Sequence, residues 1–168
     1  MARRTNIRTG GMVTWVSNIK NEISEELAKQ IVRDLKTEGP YWTGQFEEAW
    51  RVKKGNVDIA ATEAPFLSYE ERMEYGPVPF PGPSNVFIPP AKGRATQTYS
   101  IGNITTYRDI AMDLEPDARG IFRKDKSGRT ADPDWYLNYM QNTIYGVIQR
   151  VTNRVASQSS IKNYKGKL

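Results

Sequence analysis

Carboxylates give this chain its first possible chemistry. Asp113, Glu115 and Asp117 alternate over five positions. Closely spaced carboxylate oxygens are ligands that Mg²⁺ and Ca²⁺ prefer. Pro116 interrupts the group and no second acidic cluster matches it, so a solvated turn is the preferred interpretation. We therefore predict no metal site here.

The 168 residues include no cysteine and no histidine. Disulfides, thiol nucleophiles, Cys/His zinc sites and iron–sulfur clusters are therefore excluded. The commonest general base near neutral pH is missing as well. Carboxylates, lysines and tyrosines would still support some catalysis. We nevertheless expect a protein that is not an enzyme, with no catalytic residue and no cofactor.

Aromatic side chains are concentrated in one short segment. Four of them lie within ten positions: Tyr41, Trp42, Phe46 and Trp50. Such residues could stack on bases in a protein that binds single strands, but that role favours interleaved Arg and Lys. Glu47 and Glu48 lie there instead. We therefore expect Phe46 and Trp50 to be buried, in the core or in a protein contact.

Cations concentrate at the two ends of the chain, which has a net charge of +5. Residues 1–20 and 150–168 contain no acid, so the middle carries a net charge of −4. Contact with DNA or with an acidic partner is one interpretation, and solvated tails are the other. The candidate contact residues are Arg3, Arg4, Arg8, Arg150, Arg154, Lys162, Lys165 and Lys167.

The N-terminal part of the chain predicts a basic arm followed by a helix. Residues 1–13 are expected to be disordered or extended, up to Gly10-Gly11. Apolar residues then recur at every fourth position from Trp15 to Leu35, which predicts a helix over 14–37. Because such a stripe winds around a helix, it favours either two contact surfaces or one curved core stripe.

Two stretches in the middle predict strands. Residues 51–60 have the pattern of a hairpin with its turn at 54–56, and residues 96–107 predict strands around a turn at Gly102-Asn103. Between them, residues 77–90 hold six of the ten prolines and predict an extended arm that contacts another subunit. The arm residues are Pro77, Pro79, Phe80, Pro81, Pro83, Phe87, Pro89 and Pro90.

The last helix has clear signals at its start. Asp132 has the position of a cap and Pro133 suits the first helical turn. Apolar residues from Leu137 to Val155 follow at helical spacing, and residues 157–168 predict a basic flexible tail. The whole order predicts an α+β domain over 14–156, with an antiparallel sheet flanked by a long N-terminal helix and a C-terminal helix.

Short motifs also follow one another in a particular order. A Thr-Gly-x-Phe segment after the first helix is followed by an aromatic residue. An Asn-x-x-x-Tyr stretch then leads to an apolar-Glu pair, and the closing helix opens near another aromatic residue. The motif residues are Thr43, Gly44, Phe46, Trp50, Asn103, Tyr107, Leu114, Glu115 and Trp135.

In this order, the motifs resemble the head–tail joining proteins of tailed bacteriophages, also called neck or tail-completion proteins. The resemblance covers most of residues 15–156, and the departure from it is a long loop or arm insertion at 62–95. It implies a homo-oligomeric ring, hexameric or dodecameric, stacked between the portal or adaptor protein and the tail tube or terminator protein. Genomic DNA would pass through the lumen. The implied location is the virion neck, after synthesis in the bacterial cytoplasm.

Three other functions are alternatives to the neck ring. A nucleic-acid-binding module would act through the basic termini, although the acidic middle opposes it. A nuclease would use the carboxylates and a metal ion. A tail terminator or another virion ring would share the same architecture as the neck ring. The sequence contains no run of about 18 apolar residues, the length that a membrane span needs. We therefore expect no membrane span and no membrane partner.

Overall fold

A computed structural model of the chain describes residues 9–41, 44–64, 66–68, 70–71, 74, 81–91, 95–112, 132 and 134–165. In this part of the chain, a long helix begins the fold, a pair of antiparallel strands follows, and a long helical segment ends it. The arrangement is α+β, which confirms the predicted fold class.

The first helix, α1, covers Thr9–Glu38. Val32 and Leu35 on its inner face are buried in the core. The helix ends where the Gly39 N–H donates to the Leu35 carbonyl oxygen at 3.0 Å. A Cβ atom at Gly39 would lie 3.1 Å from the Trp135 ring, so the close approach of the last helix favours glycine here.

The start of α1 lies upstream of the predicted boundary. The helix already includes Gly10 and Gly11, which the sequence placed in an arm over residues 1–13. A helical glycine costs about 1 kcal/mol relative to alanine. Extending an existing helix adds one hydrogen bond per residue, which offsets such a cost near a helix end. Residues 1–8, with Arg3, Arg4 and Arg8, lie outside the described residues.

The sheet pairs two strands that are distant in sequence. Strand β1, Trp50–Lys54, runs antiparallel to β2, Tyr99–Asn103, with Val52 opposite Ile101. The predicted turn at Gly102-Asn103 is wrong, because both residues belong to β2 and pair with β1. A short helix, α2 (Gln45–Glu48), precedes β1, and α3 (Arg108–Met112) follows β2.

The predicted hairpin over 51–60 is also wrong. Gly55 turns the chain with a φ of 87°, but residues 57–60 form no strand beside β1. Instead, the Val57 N–H donates to the Ser100 hydroxyl at 2.9 Å, and Ile59 is buried against Gly102. A Cβ atom at Gly102 would lie 2.9 Å from the Ile59 Cβ atom, so the missing side chain lets this segment cross β2 closely.

The terminal helix is built from three consecutive parts. They are α4 (Trp135–Asn138), a π-helical turn (Tyr139–Thr143) and α5 (Ile144–Lys165). Its cap position is occupied by Asp134, whose side chain makes no capping bond, and not by Asp132. Asp132 contributes its backbone carbonyl, which accepts from the Trp135 N–H at 3.0 Å. The helix continues nine residues beyond the predicted end at 156.

The π-helical turn keeps the buried face of the terminal helix in register. Tyr139 is buried in the core cluster against which Ile144 also packs, and Val147 is buried in a second cluster with Val151 and Val155. The five steps from Tyr139 to Ile144 would turn about 500° around a regular α-helix, so Ile144 would point about 140° away from Tyr139. One extra residue absorbed in the π turn removes about 100° of that difference. Trp135, Tyr139, Val147, Val151 and Val155 can therefore all face the core.

Candidate functional site

The motif residues that the structure describes meet in one aromatic core cluster, made of Phe46, Trp50, Tyr107 and Trp135. Phe46 is central, with ring centroids 5.8 Å from Trp50 and 6.3 Å from both Tyr107 and Trp135. The Trp50 side chain is only 2% exposed, and Phe46 is also buried. The expectation that these two aromatics are buried is confirmed, and their role in the described fold is packing.

Gly44 sets the backbone turn that delivers Phe46 to the cluster. Its φ of 89° lies in the left-handed region, where glycine is favoured. A Cβ atom at this position would also lie 3.1 Å from the Tyr41 hydroxyl. The neighbouring motif residue Thr43 lies outside the described residues, as do Leu114 and Glu115.

Asn103 ties the end of β2 to α2. Its side-chain amide donates to the Phe46 carbonyl at 2.7 Å, and its carbonyl oxygen accepts from the Thr105 N–H and hydroxyl at 3.0 and 2.8 Å. Asn103 and Thr105 are completely buried, so each of these bonds satisfies a polar group that water cannot reach. The Asn-x-x-x-Tyr motif therefore holds the end of β2 against the aromatic core cluster.

A buried ion pair that the sequence did not predict links α1 to α2. The Lys36 ammonium lies 3.0 Å from the Glu47 carboxylate, and the two side chains are 1% and 4% exposed. Ser84 completes the group: its N–H donates to Glu47 at 2.7 Å, and its hydroxyl bonds to both charged groups. A buried ion pair is tolerated only when its remaining hydrogen-bonding groups are satisfied. Because Ser84 supplies such bonds, the Lys36–Glu47 pair holds residue 84 in place. Glu47 was noticed in the sequence, but only as an acid among aromatics.

The described part of the proline-rich arm, residues 81–91, lies along its own subunit. The Ala91 N–H donates to Glu25 of α1 at 2.8 Å, and Val86 and Ile88 pack against the core. A groove of about 800 Å³ separates this segment from α1. Phe87 points the other way and is 77% exposed. Pro77, Pro79 and Phe80 lie outside the described residues.

An apolar strip, here called the outer stripe, runs along the exposed side of the terminal helix. It consists of Leu137, Met140, Tyr145 and Ile148, all of which are exposed. With the π turn included, these four positions fall within about 80° around the helix axis. The sequence placed Leu137, Met140 and Ile148 in one stripe with Val147 and Val151. The structure separates them into a buried and an exposed face. The π turn shifts Leu137 and Met140 relative to Val147 and Val151, and Ile148 lies about 100° around α5 from Val147.

The basic candidates on the terminal helix are separated from the aromatic core cluster. Arg150 is exposed, and the Arg154 guanidinium lies 3.2 Å from the Glu26 carboxylate of α1. Lys162 and Lys165 belong to the last turns of α5. Lys167 lies outside the described residues. Of the basic candidates whose side chains are described, Arg150 and Arg154, neither belongs to the aromatic core cluster.

Within the described ranges, no three residues of the types that bind metals come close enough to hold an ion. The acidic triplet Asp113, Glu115 and Asp117 lies outside those ranges. Among the described helices, none has an apolar stretch that would cross a bilayer. Comparison with known proteins adds no identification, because no family model, curated protein or solved structure matches the chain.

Proposed function

We propose that this chain is a structural subunit of a homo-oligomeric ring in the neck of a tailed bacteriophage. The observation that carries the proposal is the outer stripe: four large apolar side chains lie exposed on one face of the terminal helix. Contiguous exposed apolar surface is typical of protein contacts, and aromatic and Met side chains are enriched in them. The proposed occupant of this face is a second copy of the chain.

A ring needs two different contact surfaces on each subunit, because only heterologous contacts close through rotation. The outer stripe supplies one surface. Phe87 supplies the other, since its side chain is 77% exposed while the residues on either side of it pack inward. Such an isolated aromatic has the character of an anchor for a pocket on a neighbour. The buried Lys36–Glu47 pair keeps its segment fixed before assembly, which lowers the entropy lost on docking.

The resemblance to head–tail joining proteins supplies the biological context of the proposal. In that context, the ring joins the portal or adaptor protein to the tail tube or terminator protein, and genomic DNA passes through its lumen. Its chemistry is then shape and subunit contact. The aromatic core cluster supports this interpretation indirectly. Its motif residues are used for packing inside the subunit, so the exposed apolar residues of the outer stripe are left for contacts between subunits.

The test compares assembly of variants that place a charge on each surface. Tyr145→Asp on the outer stripe and Phe87→Asp on the arm should both leave the fold intact, because both side chains are exposed. Each should abolish formation of the wild-type oligomer, since the contact would bury an unpaired carboxylate. Sedimentation velocity measures the oligomer, and circular dichroism checks the fold.

Phe66→Asp is the matched control, because Phe66 is also exposed but lies outside both surfaces. It should assemble like the wild type. Unchanged assembly of both Tyr145→Asp and Phe87→Asp would contradict the proposed contacts. Deleting residues 77–90 is a poorer test than Phe87→Asp, because the deletion would also remove Val86 and Ile88 from the core.

A further inference from the structure

The groove between α1 and the proline-rich segment, here called the α1 groove, has an apolar floor. Val32 of α1 forms this floor together with Val86 and Ile88. Phe87, which is 77% exposed, also belongs to the lining. A groove with an apolar floor favours a ligand that is itself apolar along one side, such as an amphipathic helix.

The rim of the α1 groove carries a cation that is not paired. Lys29 lies 2.9 Å from Glu25, so its charge is compensated within α1. Arg33, one turn further along the helix, is exposed and pairs with no acid among the residues that the structure describes. An exposed guanidinium beside an apolar floor favours a ligand that presents a carboxylate at the matching position.

The outer stripe has the complementary properties. Its four large apolar side chains lie on one side of the terminal helix. Asp134 lies three residues before Leu137, the first residue of the stripe, and is exposed. Its side chain makes no capping hydrogen bond, and within the described ranges it pairs with no cation. The outer stripe therefore begins beside an unpaired negative charge.

The α1 groove and the outer stripe also agree in length. The residues of α1 that line the groove run from Glu25 to Arg33, which is about 12 Å of helix. The stripe runs from Leu137 to Ile148, which is about 16 Å of helix. A helix that presents this stripe would therefore contact the groove over its full length along α1.

The outer stripe cannot reach the α1 groove of its own subunit. Val151 and Val155, on the opposite side of the terminal helix, are buried together with Ile23 and Leu27 of α1. The stripe consequently points away from α1, and only another copy of the chain can bring it into the groove. Because the two surfaces are different, such a contact can repeat from copy to copy.

We propose that the outer stripe of each copy lies in the α1 groove of the next copy, where Asp134 of one copy pairs with Arg33 of its neighbour. The inference rests on the proposed ring and deepens it, because it names the two surfaces that meet. Phe87 then packs against the neighbouring terminal helix. A contact between two outer stripes would instead leave both charges unpaired and would stop at a dimer.

Cross-linking between introduced cysteines tests which surfaces meet, because the chain contains no cysteine of its own. Asn85 lines the α1 groove, Gln141 follows Met140 of the stripe, and both are exposed. A short bismaleimide should join Asn85→Cys/Gln141→Cys into a ladder of covalent multimers beyond the dimer on a denaturing gel. Each single cysteine variant should stay monomeric on that gel.

Asn85→Cys/Ser157→Cys is the matched control, because Ser157 is exposed on the same helix but lies beyond the stripe. It should give no ladder. A dimer formed by Gln141→Cys alone would show that two stripes meet, and it would overturn the inference. A ladder of equal strength from the control pair would overturn it as well.

Charge reversal tests the pair of Asp134 with Arg33. Arg33→Glu and Asp134→Arg should each raise the dissociation constant of assembly at least about tenfold, because like charges then face each other. An equimolar mixture of the two variants should assemble again, since alternating copies restore opposite charges at every contact. A mixture that assembles no better than the single variants would overturn the pair.

The inference and the proposed ring fail with different results. If the wild type forms an oligomer that Tyr145→Asp disrupts, but no ladder appears and mixing recovers no assembly, the contact of stripe with groove is wrong and the ring stands. A wild type that remains monomeric in sedimentation velocity overturns both.

Discussion

Polar and aromatic side chains together close the core of this protein. Asn103, Lys36 and Glu47 are buried with their hydrogen-bonding groups paired, beside the aromatic core cluster. Trp50 is different: its indole N–H is buried and finds no acceptor among the described residues. The cluster thus gains from the Trp50 ring and loses from its N–H group, and these two contributions are separable by substitution.

Trp50→Ala should lower the free energy of unfolding by about 3–5 kcal/mol, the usual cost of deleting a large buried aromatic. Trp50→Phe keeps an aromatic ring beside Phe46 and removes the unpaired donor, so it should cost clearly less. Urea unfolding measures both values. A Trp50→Ala variant with wild-type stability would show that the cluster is not the centre of the core.

Tyr139 makes the stability of the folded protein depend on pH in the alkaline range. Burial, and then the charge of Asp34, raise the pKa of the Tyr139 hydroxyl well above its usual range. The unfolded chain therefore releases this proton at a pH near 10, where the folded chain still holds it. The stability that the neutral hydroxyl contributes is present below that pH and is lost as the pH rises above it.

Tyr139→Phe should therefore be less stable than the wild type by about 1–3 kcal/mol at pH 8, where the bond to Asp34 contributes fully. The difference should shrink between pH 10 and pH 11, because the phenylalanine variant has no proton to release. Urea unfolding at each pH gives the difference, with Tyr145→Phe as the control for loss of an exposed hydroxyl. A difference that stays constant up to pH 11 would contradict the coupling.

At the scale of elements, local patterns predicted the helices and located the two strands, but they failed for the pairing of the strands. The four-residue repeat from Trp15 to Leu35 lies within one element, so the end of α1 was predicted to within one residue. The partner of β1, by contrast, is β2, whose first residue lies 45 positions after Lys54, and no local pattern encodes that pairing. Residues 57–60 alternate between apolar and polar like a strand, and Ile59 among them is buried. They nevertheless pair with no third strand and contact side chains instead.

The candidate site shows the same division. The burial of Phe46 and Trp50 was predicted from their density and from the acids beside them. The pairing of Lys36 with Glu47 was not, because these residues lie on different elements and only the fold brings them together. The outer stripe was merged with the core stripe, since a π turn leaves no sequence signal that simple helical spacing detects.

Deleting Asn142 tests the role of the π turn. The deletion would remove the extra residue and rotate α5 by about 100° relative to Trp135 and Tyr139. Val147, Val151 and Val155 could then no longer face the core together, so we expect a loss of at least about 3 kcal/mol, the value of exposing two valines. Asn142→Ala keeps the length of the helix and should stay within about 0.5 kcal/mol of the wild type. Equal stability of the deletion variant would contradict the register argument.

At the scale of the whole molecule, the surfaces are distributed over different elements. The outer stripe lies along the terminal helix, and Phe87 lies on the proline-rich segment. The two apolar surfaces proposed for neighbouring copies are thus carried by separate parts of one subunit. This separation lets the two subunit contacts be altered independently.

The mass and shape of the purified full-length protein test the central claim most directly. Native mass spectrometry combined with electron microscopy of the same sample should find a closed ring of six or twelve copies. The ring should be lost in Tyr145→Asp and kept in Phe66→Asp, because only the first changes the outer stripe. A wild-type protein that remains a monomer at every concentration measured, or that forms a dimer with no central opening, would contradict the ring.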